Sequence, residues 1–89
     1  METGVQEMDV SAVKPLDDMM MLVTFASGER RLYDATRLLG FPAFQPLRNK
    51  AVFKSAGVDH GVVVWLDGDI DIAPETLYAD SFPYDEMVM

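Results

Sequence analysis

Turn-forming residues recur along this chain at intervals too short for any long element. Asp17-Asp18, Ala26-Ser27-Gly28-Glu29, Gly40, Pro42, Pro46, His60-Gly61, Asp67-Gly68 and Pro74 each interrupt the backbone. Gly supplies the positive φ of tight turns, Pro withholds an N–H, and Asp bonds back to nearby backbone. Spacing of this kind permits short antiparallel strands joined by hairpins, with brief helices between them.

Val10 to Leu16 reads as a first strand, with Pro15 at its end or on an edge because it cannot donate. Met19 to Phe25 reads as a second, apolar enough to be buried on both faces or to face a partner. Arg30 to Asp34 is a third, so a three-stranded antiparallel meander opens the fold. Asp34 caps a short helix that Gly40 stops after Leu39. Phe41, Phe44 and Leu47 are core-like, while Pro42 and Pro46 hold that stretch to turns. Asn49 caps a helix from Lys50 to Ser55. Ala56 to Asp59, Val62 to Leu66 and Asp69 to Ile72 are the strands of two further hairpins, turning at His60-Gly61 and at a two-residue Asp67-Gly68 loop. Pro74 suits the first position of a final helix, and Glu75 complements its dipole.

The expectation is an α+β fold: a mainly antiparallel sheet of five or six short strands with two or three short helices. Its core is read as Val13, Leu22, Phe25, Leu32, Tyr33, Leu38, Leu39, Phe44, Leu47, Phe53, Val63, Trp65, Ile70, Ile72 and Leu77. The chain of 89 residues divides into an N-terminal extension (1–9), one domain (10–79) and an acidic, flexible tail (80–89). Hydrophobic residues at 49% and charged residues at 25% fit a globular domain and exclude a disordered one.

No cysteine is present, which removes disulfides, thiolate metal sites and a cysteine nucleophile, and points to the cytoplasm. Glu2, Glu7 and Asp9 stand where a signal peptide would carry base, and the longest apolar run, Met19 to Phe25, cannot span a bilayer. No membrane association is expected.

Charge is unevenly spread. Residues 1–54 hold seven bases and seven acids, which cancel. Residues 55–89 hold eight acids and no base, and so carry the whole net charge of −8. Such asymmetry suits a basic protein partner, and it also serves solubility. It disfavours direct nucleic-acid binding, whose non-specific affinity comes from neutralising phosphate.

Within the acidic half, Asp67, Asp69, Asp71 and Glu75 are the candidate binding residues. The spacing Asp67-Gly-Asp-Ile-Asp71 is similar to the start of a calcium loop. Ile72 and Tyr78 stand where such a loop needs Gly and Glu, so no metal or other cofactor is expected. The Asp71 carboxylate is placed to cap the final helix, with ligand or partner contact as its other role. His60 has Asp59 beside it but no nucleophile, and reads as a solvated turn residue. Arg30 and Arg31 point to opposite faces of a strand and make no phosphate patch. Neither a phosphate loop, a zinc spacing nor a nucleophile elbow occurs.

Val13-Lys-Pro-Leu16, Leu22-Val-Thr-Phe25 with Ser27-Gly-Glu29, and Leu32-Tyr-Asp34 follow one another in a recognisable order. Pro46-Leu47, Phe53, Val64-Trp65 and Asp71-Ile-Ala-Pro-Glu-Thr-Leu-Tyr78 continue it. From Val10 to Tyr78 the chain resembles the short bacterial proteins of the domain-of-unknown-function 2442 family. The resemblance implies a small α+β domain without an established activity. Some members are joined to a helix-turn-helix domain, and others are thought to be encoded beside a second small protein as a toxin–antitoxin pair. This chain departs from the first kind, since it stops about eleven residues after the family pattern, and direct DNA binding is not expected of it. The leading expectation is a non-catalytic interaction module with a small basic partner, antitoxin-like or accessory. The alternative is a small-ligand or metal-binding module on Asp67 to Glu75, and an enzyme ranks last. The apolar second strand and free sheet edges also suit a homodimer.

Overall fold

The computed structural model describes residues 8–84. Most of the expected N-terminal extension, and residues 85–89 of the expected tail, lie outside the described residues.

The meander forms as expected. Strands β1 (Val10–Pro15), β2 (Met20–Phe25) and β3 (Arg30–Asp34) are antiparallel neighbours. Asp34 then accepts from the Thr36 backbone N–H at 3.0 Å and opens a 3-10 turn over Ala35–Gly40. A second 3-10 segment, Pro42–Arg48, follows. Asn49 accepts from Ala51 and Val52 N–H groups and starts helix α1 (Lys50–Lys54). Strands β4 (Gly57–Asp59), β5 (Val62–Trp65) and β6 (Ile70–Ile72) come next, then helix α2 (Pro74–Ala79) and strand β7 (Phe82–Pro83).

The strands build two sheets where one was expected. A four-stranded sheet has the order β1-β2-β3-β7, and a three-stranded sheet has the order β4-β5-β6. They meet at the start of β1, where the Val10 N–H donates to the Gly61 carbonyl at 2.9 Å. Strand β7 comes from the segment expected as tail, and Phe82 lies opposite Leu32.

One core serves both sheets. Met21, Val23 and Phe25 of β2, Tyr33 of β3, Val63 and Trp65 of β5, and Ile70 and Ile72 of β6 are buried. Leu38, Leu47, Phe53 and Leu77 close it from the turns and helices. Val10, Met21, Val23 and Ala35 are absent from the expected core and are buried. Leu22 and Leu32 are corrected outward. They pair with each other on the opposite face of the four-stranded sheet, where Leu32 also neighbours the exposed Phe82. Val13, Leu39 and Phe44 pack on the core while staying partly exposed. Among the described residues no helix is long and apolar enough to cross a membrane.

Tyr33 is fully buried, and its hydroxyl has no hydrogen-bond partner among the described residues. Burial pushes its pKa up to about 12. Unfolded tyrosine ionises near 10, so the native state alone keeps the proton between the two values. Stability then falls as pH rises through that window, by about 2–3 kcal/mol when complete. Tyr33→Phe is expected to be neutral or stabilising by about 1 kcal/mol at pH 7 and to remove that alkaline loss. Urea unfolding at pH 7 and above pH 10 measures both. A clear loss of stability in the variant at pH 7 would mean that the hydroxyl has a partner.

Candidate functional site

The four acidic candidates lie on one continuous stretch. Asp67 and Asp69 sit in the β5–β6 connection. That connection is a four-residue loop, Leu66 to Asp69, and not the two-residue turn expected. Leu66 (φ 53°) and Asp67 (φ 57°) both take left-handed backbone, and the Asp69 N–H donates to the Leu66 carbonyl. Asp71 projects from the outer face of β6, between buried Ile70 and Ile72. Glu75 stands in the first turn of α2. All four are exposed, and among the described residues their carboxylates make no hydrogen bond or ion pair.

Asp71 does not cap α2. The cap position is Ala73, no side chain bonds there, and the Ala73 carbonyl accepts from Thr76 and Leu77. Asp71 instead lines a groove of about 300 Å³ with Leu38, Phe41, Phe44, Ile72, Ala73 and Thr76. Phe41, read as core-like, is 58% exposed. It sits between Gly40 and Pro42, where no regular element fixes a buried face. That position was the one sequence signal for a surface aromatic. Among the described residues no group of three or more His, Cys, Asp or Glu side chains is placed to hold a metal ion.

A second hollow, of about 430 Å³, separates the β1–β2 turn from α1 and is floored by Phe53. Its charges are mixed. Lys54 Nζ lies 3.7 Å from Asp17 Oδ1, and Lys50 and Asp18 complete the rim.

The strongest polar constellation is a structural tie. Arg31 Nε donates to Ser81 Oγ at 2.7 Å, Nη2 to the Ser81 carbonyl at 2.8 Å, and Nη1 to Glu29 Oε2 at 2.8 Å. The guanidinium lies 4.2 Å from the centroid of the Tyr78 ring, whose hydroxyl donates to Glu29 Oε1 at 2.8 Å. That hydroxyl and then Arg31 hold the Glu29 carboxyl below its ordinary pKa. The same bond raises Tyr78. Glu29 therefore supports the fold above the ordinary glutamate range, and its contribution is lost as pH falls through the lowered value. A general base needs a raised carboxylate, the opposite shift. Arg30 lies 5.0 Å over the Tyr84 ring. His60 is exposed, with Nδ1 2.8 Å from Asp59 Oδ1 and no nucleophile beside it among the described residues.

A family model described as a protein of unknown function (DUF2442) matches residues 10–83. No curated protein and no solved structure matches the chain.

Proposed function

The chain belongs to the DUF2442 family, and on that premise we propose that it is a non-catalytic interaction module whose acidic second half receives a small basic protein. One observation carries the reading. Asp67, Asp69, Asp71 and Glu75 are all exposed and have no ion-pair partner among the described residues. The cations Arg31, Arg37 and Lys54 pair instead with Glu29, Asp80 and Asp17, and leave these four carboxylates unneutralised. Unneutralised charge of one sign steers an oppositely charged partner and rejects like-charged ones. Such a module suits the antitoxin-like or accessory member of a two-protein system of a bacterial cytoplasm, a compartment in keeping with a chain lacking cysteine.

The test is affinity purification at native expression, from wild type and from a quadruple variant, Asp67→Asn, Asp69→Asn, Asp71→Asn and Glu75→Gln. Wild type is expected to retain a basic protein at low salt and to release it by about 0.5 M salt, where screening leaves only a few ångströms of electrostatic reach. The folded quadruple variant is expected to lose it. Full retention by that variant would overturn the reading.

A further inference from the structure

We propose that the groove between Phe41 and β6 docks an extended segment of the partner protein, one that carries an apolar anchor beside lysine or arginine. The proposal deepens the interaction reading and rests on it.

The groove's shape comes from its lining. Asp71, Ile72 and Ala73 all touch it. Successive strand residues point to opposite faces, so a hollow touched by consecutive residues runs along the strand's edge. Strand β6 is the edge of its sheet, and among the described residues its outer backbone groups make no further backbone bonds. An added extended segment can pair there, as in other cases of strand addition. Pro74 has no N–H and ends the available edge, so the paired stretch is short.

Opposite this edge stand Leu38, Phe41 and Phe44. A volume of about 300 Å³ is at the small end for a ligand pocket and suits one anchoring side chain. An aromatic left 58% exposed at the rim is the kind of residue that gains most from being covered.

Charge selects the occupant. Asp71 is the charged residue of the lining, Asp69 and Glu75 flank it along the chain, and no lysine or arginine lines the groove. A cationic neighbour to the anchor is favoured and an acidic one repelled. A second copy of this chain fits poorly, since its net charge of −8 would set acid against acid.

The experiment titrates the full-length, isotope-labelled chain with three blocked hexapeptides and follows amide shifts by NMR. The probes are Lys-Val-Lys-Phe-Lys-Val, its glutamate counterpart Glu-Val-Glu-Phe-Glu-Val, and the anchorless Lys-Ser-Lys-Ser-Lys-Ser. The first is expected to shift Phe41, Phe44, Ile72 and Thr76, and the glutamate peptide to shift none of them. Phe41→Ser, a change at an exposed position, and Asp71→Asn are each expected to weaken binding about tenfold. Absence of those shifts at millimolar peptide overturns the groove. Equal binding of the serine peptide, with shifts confined to Asp67, Asp69 and Glu75, also overturns it and leaves the acidic-surface reading standing. Groove shifts that grow with protein concentration alone would make a second copy the occupant and overturn it as well. The quadruple variant decides the underlying reading independently.

Discussion

Trp65→Ala is expected to cost about 3–5 kcal/mol, against a total stability on the order of 4–13 kcal/mol for a chain of this length. The ring is 1% exposed and meets Phe44 edge-on, with centroids 6.5 Å apart. Its Nε1–H donates to the Phe53 carbonyl at 3.1 Å, fastening β5 to α1 across the core. The Phe53 carbonyl also accepts from Ala56, so losing the indole does not strand it. The expected loss is therefore mostly cavity and contact. Trp65→Phe keeps much of the volume and should cost less than half as much. Urea unfolding followed by circular dichroism compares the three proteins. A loss below about 1 kcal/mol for the alanine variant would mean that the core closes over the hole.

The second large effect is at Gly61. With His60 it makes the two-residue turn between β4 and β5, His60 at φ 52° and Gly61 at φ 81°. A Cβ on Gly61 would lie 2.6 Å from Asp9 Cγ and 2.9 Å from Asp9 Cβ. The second of these atoms is anchored to the backbone and cannot swing away. Left-handed backbone costs a side-chain-bearing residue about 1–2 kcal/mol, and forced overpacking about 1–3 kcal/mol more. Gly61→Ala is expected to lose about 2–5 kcal/mol by adding the two. Gly61→Ala combined with Asp9→Gly removes the clash and keeps the backbone strain, so part of the loss should return. If the double variant is no more stable than the single one, the close approach to Asp9 is not what requires glycine.

Local chemistry made much of this fold legible. Asp34 and Asn49 could be read as caps because a short acceptor before an apolar run has few other roles. His60-Gly61 could be read as a tight turn because both residues tolerate positive φ. The second strand was harder. Met20 and Leu22 are as apolar as Met21, Val23 and Phe25, so alternation did not say which set turns inward. A register irregularity in β1 between Val10 and Ala12 blurs the neighbouring strand as well. The β5–β6 loop was misread because Leu66, a good strand residue, adopts a left-handed conformation that its type does not advertise. Asp67, Asp69, Asp71 and Glu75 were legible as an exposed acidic run from charge alone. The groove was not, because it joins Leu38, Phe41 and Phe44 to β6 across some thirty residues of chain, and only folding brings those together.

The four-stranded sheet has a further consequence for how the chain is made. Arg31 bonds to Ser81, 50 residues downstream, and the outer neighbour of β3 is Phe82–Pro83. A ribosome adding about 5–20 residues per second needs roughly 3–10 s to cover that distance. Until those residues are available, a meander that has closed keeps a bare edge on its third strand and Arg31 lacks its acceptor. Newly synthesised copies on one messenger are then open to pairing with each other along β3. The arrival of Ser81 and Phe82 ends that exposure, so protection of the sheet waits on a segment 50 residues downstream of the strand it covers.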